Sequence, residues 1–244
     1  MNNNPFIGFG YLLKGMGMLL SPGLKRYLLV PILINILIFS LAGWLGYTQF
    51  NDLLDWLLPQ ESWLSYFRWV LWPLFAITIL LVTFYTFTAV ANLLAAPFNS
   101  LLAERVEFQV SGTKPPKSNE KIMAVILPAI LSELRKLCYF LIRAIPLLVL
   151  FVIPGLNLLA PLLWVLFSAW FLALEYADYP MGNHRMTFPQ QHKSIKKLRM
   201  TALGFGGGVT LLTLIPIINF IAMPSAVIGA TLFWIEQKET LSAE

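Results

Sequence analysis

Gly23, Leu24, Lys25 and Arg26 stand at the head of a long apolar run, in SPGLKRYLLVPILINILIF. The residue types predict a helix start there, with Ser21 as N-cap and Pro22 at the first helical position. Two cations in that turn oppose the helix dipole, which favours acids. The first N–H groups of a helix lack internal partners and attract anions. Gly23 has no side chain to block an approaching ligand. Arg26 brings forked donors that suit a tetrahedral oxyanion, and Lys25 brings a point charge. The four residues form a candidate oxyanion site. The alternative is purely topological, with the cations holding this end of the chain on one side of a membrane.

A second polar group lies in NLLAAPFNSLLAERVE, residues 92–107. Asn92, Asn99 and Glu107 fall close to one helical stripe if Pro97 does not rotate it, and Glu104 sits one turn from Glu107. Polar side chains in membrane helices face the bundle interior or a water path. A Glu held against an apolar wall exchanges protons near neutral pH. A simple interfacial cap of charges is the plainer reading. The third group is EYADYPMGNHR, with Glu175, Asp178, His184 and Arg185. A lipid-modifying enzyme would need such a cluster, but a solvated loop explains it as well, with Tyr179-Pro180 ending the helix before it.

Enzymatic readings have little else behind them. No nucleophile triad, phosphate-binding loop or zinc-protease motif occurs. Cys138 is the single cysteine, and His184 and His192 are the only histidines. An intrachain disulfide is excluded, and no metal, cofactor or nucleic-acid partner is expected.

The elements that position these groups follow from composition. Hydrophobic residues make up 58% of the 244 and charged residues 12%, against roughly 45–50% and 25% in soluble domains. Four charge-free windows, 27–51, 69–103, 144–174 and 200–235, organise the chain. The first two are long enough to span a bilayer. The other two are broken, at Pro154-Gly155 and at Pro216 and Pro224, and both breaks read Ile-Pro-x-x-Asn-x-x-Ala. Pro ends one half-helix there and Asn can cap the next. Two readings stand: tight hairpins of full-length tilted helices, or re-entrant hairpins of the kind that point to a transport site. Phe6, Phe9, Leu13, Met16 and Leu20 recur at helical spacing and predict an amphipathic helix over 5–20 at the membrane surface.

The expected organisation is a single all-α membrane domain: interfacial helix 5–20, span 22–50, span 68–111 with a cytoplasmic extension, cytoplasmic helix and hairpin 119–174, loop 175–199 and hairpin 200–236. Lys14, Lys25 and Arg26 precede the first span. Seven Lys/Arg lie in 104–143 and five in 175–199, while 52–67 has none. The N-terminus and both basic segments are therefore read as cytoplasmic. Five tryptophans (Trp44, Trp56, Trp63, Trp69, Trp72) cluster around the external loop, where an aromatic belt would sit.

Four blocks carry a resemblance: SPGLKRYLLVPILIN, ANLLAAPFNSLLAERVE, FVIPGLNLLAPLLWVLFSAWFLALEYADYPMGNHRMTF and LIPIINFIAMPSAVIGATLFW. They occur in order over most of the chain, which resembles the CysZ sulfate permease family. The resemblance implies a multi-pass protein of the bacterial inner membrane that takes up sulfate for cysteine biosynthesis without ATP hydrolysis, with proton dependence. It implies two long transmembrane helices, two hemi-penetrating hairpins and a homo-oligomer in the lipid bilayer. The family's Gly-Leu and two basic residues map onto Gly23, Leu24, Lys25 and Arg26, with Lys25 where an Arg would give bidentate contact. Glu104 and Glu107 look like its pore-proximal charges. Asn35, Asn92, Asn99, Asn157 and Asn219 are further path-lining candidates. The competing expectation is a membrane scaffold or regulator that binds sulfate or anionic lipid without transport.

Overall fold

The computed structural model describes residues 3–44 except 28, 31, 35 and 42, residues 68–115 except 114, and residues 122–242. The regular elements among them are helices: α1 (Pro5–Met18), α2 (Arg68–Ser111), α3 (Ile122–Leu150), a 3-10 turn (Leu156–Leu158), α4 (Ala160–Asn183), α5 (Phe188–Lys197), α6 (Arg199–Thr213) and α7 (Pro216–Ser242). The described residues between 25 and 44 are also helical. Among the described residues one helix, α4, is long and apolar enough to cross a membrane. The chain divides into two compact units, Leu29–Phe98 and Met1–Leu28 with Asn99–Glu244.

The Leu29–Phe98 unit carries its apolar side chains outward. Leu33, Ile36, Leu37, Leu74, Leu80 and Val82 are all exposed. A water-facing helix would place polar groups there. Thr78 Oγ1 donates to the carbonyl of Leu74 at 2.8 Å, so even this hydroxyl is satisfied by its own backbone.

In the larger unit α1 is packed against α6 and α7 through glycine. Gly8 meets the backbone of Thr201 and Phe205, and Gly15 that of Ser225 and Gly229, so closely that a Cβ at either would overlap backbone atoms. Close approach buries Tyr11 and Leu12 with Phe205, Ile228 and Phe233. The apolar stripe read from the sequence lies on the other side: Phe6, Phe9, Leu13 and Leu20 are exposed. Asn4 caps α1, its side chain accepting from Phe6 N–H. α3 is likewise inverted. Leu134, Leu137, Leu141, Ile142 and Ile145 are exposed, while Lys136 is buried. This arrangement suits a hydrocarbon solvent.

Several local expectations are corrected. Ser21 and the turn Pro22–Leu24 lie outside the helix, which opens at Lys25. Gly23 is the cause: its φ of +86° is left-handed and cannot continue a right-handed turn. The cytoplasmic helix and the first arm of the hairpin expected within 119–174 are continuous, because α3 runs from Ile122 to Leu150 and includes Pro128 and Pro146. Residues 175–199, read as a loop, hold the end of α4 and all of α5. Pro180 lies inside α4 and Pro224 inside α7, so neither ends a helix. Asn157 caps nothing: Gly155, at φ +85°, precedes the 3-10 turn, and Leu159 precedes α4, neither with a side-chain cap.

Candidate functional site

The Pro22–Leu24 turn is fastened from two sides. Leu24 is 1% exposed and sits in the core with Leu102 and Val106 of α2. Gln109 Nε2 donates to the Pro22 carbonyl at 2.8 Å. The N–H of Leu24 donates to Ser21 and that of Tyr27 to Leu24. Among the described residues outside the helices, Gly23, Lys25 and Arg26 make no backbone donation. Lys25 and Arg26, as first helical residues, have no carbonyl partner within their own helix. The turn thus presents free amides at the positive end of a helix dipole.

The cations are arranged differently from the sequence reading. Arg26 Nη2 donates to the hydroxyl of Tyr27 at 2.9 Å, and its guanidinium lies 4.8 Å from that ring centre. Lys25 is exposed. The guanidinium facing Gly23 belongs to Arg105 on α2. A Cβ built on Gly23 would lie 3.3 Å from Arg105 Nη2, 3.5 Å from its Nε and 3.3 Å from Gln109 Nε2. Arg105 was not among the site candidates read from the sequence. The available signal was its four-residue spacing from Gln109, which puts both on one helix face.

Glu107 is 1% exposed and does not face an apolar wall alone. His184 Nε2 lies 2.8 Å and 2.9 Å from its two carboxylate oxygens, and Lys238 Nζ lies 3.7 Å from one of them. The pairing ties α2 to the end of α4 and to α7. Trp234 packs beside His184 at 5.7 Å between ring centres, its indole N–H buried without a hydrogen-bond partner among the described residues. Glu104, half-buried, is not drawn into this pairing. Asn99 lies elsewhere, its Nδ2 at 3.3 Å from Tyr179 Oη and 3.2 Å from Met223 Sδ. The side chains of Asn92 and Asn219, and all of Asn35, lie outside the described residues.

The Glu175–Arg185 stretch is divided rather than gathered. Lys136 Nζ meets Asp178 at 2.7 Å, Glu133 at 3.1 Å and Glu175 at 3.3 Å. Gln191 Nε2 donates to the other Asp178 oxygen at 2.6 Å. Burial alone would lower the Lys136 amine, but Asp178 and Glu175 outweigh it and raise it. With these two carboxylates held by Lys136, and His184 committed to Glu107, the stretch offers no common catalytic centre.

Apolar faces turned outward, a helix fit to cross a bilayer and polar side chains held inside define an all-helical membrane protein. The chain belongs to the sulfate transporter CysZ/etoposide-induced protein 2.4 family, whose profile matches residues 11–224. It is 42% identical over 231 residues to the sulfate transporter CysZ of Pseudomonas aeruginosa, covering 93% of this chain and 94% of that protein. It is 43% identical to the Pseudomonas fluorescens protein of that name, over 93% of this chain and 92% of the relative. With the Pectobacterium atrosepticum sulfate transporter CysZ it shares 41% identity over 97% of this chain and 87% of the relative. These relatives are named as transporters.

Proposed function

We propose that this chain carries sulfate across the bacterial inner membrane, supplying cysteine biosynthesis, with its N-terminus in the cytoplasm. The observation that carries the reading is its identity of about two residues in five, over nearly the whole chain, to proteins named for sulfate transport. The Gly23–Arg26 turn is the sulfate-binding site of this reading. Sulfate is a dianion, and hydrocarbon is closed to it. Free amides at a dipole's positive end, with cations close by, replace part of its hydration shell without holding it permanently.

In this reading the apolar run that opens at Lys25 and residues 68–111 are long transmembrane helices, and 144–174 and 200–236 are hairpins that enter the bilayer and return. Half-spanning hairpins need neighbours to bury their tips, which favours a homo-oligomer. Glu107, with His184, and Glu104 are the groups through which protons would act on transport. The experiment is uptake of labelled sulfate by cells lacking other sulfate uptake. Expression of this chain should restore uptake and growth without added cysteine; unchanged uptake with the protein inserted would overturn the proposal.

A further inference from the structure

The Gly23 turn meets an arginine whose Nε has no hydrogen-bond partner among the described residues. Arg105 contributes its Nε–Nη2 edge to the glycine side of the turn, at the distances a missing Cβ would report. That edge is the one through which guanidinium binds two oxygens side by side. Its Nε is closed to solvent and has no hydrogen-bond partner among the described residues. The guanidinium carbon also lies 5.6 Å from the centre of the Phe108 ring. Glu107, two residues on, is taken by His184 and Lys238. A buried, unpaired charged donor is costly, and native structures keep such groups for a ligand or a strain with a use.

The surroundings fit a ligand of one chemistry. Arg26 is turned onto Tyr27, so its fork is already engaged. Gly23, lacking a Cβ, puts no side chain between the turn and the Arg105 edge, and its φ of +86° sets the turn. Gln109 locks the turn to α2 through the Pro22 carbonyl and holds Arg105's helix in register with it.

We propose that Arg105 is the group that selects a tetrahedral dianion at the Gly23 turn. Its Nε–Nη2 edge binds one pair of oxygens, and the amides at Lys25 and Arg26 take the others. Gln109 is a positioning residue. The inference deepens the proposed sulfate site and rests on it.

The test is calorimetric titration of purified protein with sodium sulfate, and with sodium chloride as the monovalent probe, on wild type, Arg105→Lys, Arg105→Gln and the Lys25→Ala/Arg26→Ala double variant. Arg105→Gln should weaken sulfate binding about tenfold or more, the effect of losing a bond to a charged group. Arg105→Lys keeps the charge and the helix but loses the fork, so its preference for sulfate over chloride should fall several-fold; a merely structural role would leave that ratio in place. Sulfate affinity and preference within twofold of wild type in both Arg105 variants overturn the inference while leaving the site standing. Absence of sulfate binding by wild type overturns the site and the inference together.

Discussion

Glu107 of α2 and His184 at the end of α4 meet in the interior, with Nε2 at 2.8 Å and 2.9 Å from the two carboxylate oxygens. Removing His184 leaves an almost wholly buried carboxylate with only the longer 3.7 Å contact to Lys238 among the described residues. His184→Ala should therefore destabilise the protein by about 3 kcal/mol, the scale for breaking a buried pair. Adding Glu107→Gln should recover part of that loss, because the stranded charge goes with it. Thermal unfolding in detergent reads both; strictly additive effects would show that the pair is not coupled.

The same pair bears on proton dependence. In the proposed transporter, Glu107→Gln and His184→Gln should each flatten the dependence of sulfate flux on pH. Glu104→Gln, at a group outside the pair, should flatten it as well. A wild-type pH profile in the first two variants would remove them from any proton coupling.

Gly23→Ala tests the turn. A left-handed alanine costs about 1–2 kcal/mol, and its Cβ would press on Arg105 and Gln109 at 3.3 Å. Sulfate should lose affinity while the protein still folds. Undiminished sulfate affinity in folded Gly23→Ala protein would count against this turn as the site.

Glycines on two sides of α1 should respond with opposite sign. At Gly15 an added Cβ meets backbone, including Gly229 N at 2.8 Å, whereas at Gly10 nothing lies within 4 Å. Gly15→Ala should lower the melting temperature, by an overpacking cost of about 1–3 kcal/mol. Gly10→Ala should raise it slightly, since alanine is the better helix former by about 0.5–1 kcal/mol. Equal shifts would mean that α1 does not pack on α6 and α7 through Gly15.

His192 packs 5.1 Å from the Tyr139 ring centre and 6.0 Å from that of Phe188. Burial, and then the charges of Arg143 and Lys196, push it below its ordinary value of 6.5. The unfolded chain therefore takes up a proton before the folded protein does. The stability this neutral imidazole contributes is full above pH 6.5 and declines as pH falls below it. His192→Gln should show a shallower loss of melting temperature through that window; parallel curves for the two proteins would refute the linkage.

Much of this was legible in residue order. The all-helical class and membrane character follow from charge-free windows, because hydrocarbon admits so few alternatives. Gly23 was legible as a place for close approach. Its consequence was not: a glycine at positive φ postponed the helix to Lys25, against the Ser-Pro start signal. Pro180 and Pro224 misled in the opposite direction, since a helix held by neighbours tolerates an interior proline. Arg105 was hidden because its meaning depends on a turn 82 residues earlier in the chain. His184 read as part of a local cluster with Asp178, yet helical geometry sends the two side chains to different partners, Glu107 and Lys136.

The central claim is transport through the Gly23 turn. Labelled sulfate flux into liposomes containing the purified protein tests it most directly, with wild type beside the Gly23→Ala variant. The account predicts saturable flux above empty vesicles for wild type and strongly reduced flux for the variant at equal insertion. Wild-type protein that binds sulfate but gives flux no greater than empty vesicles would contradict transport and leave a sulfate-binding membrane scaffold.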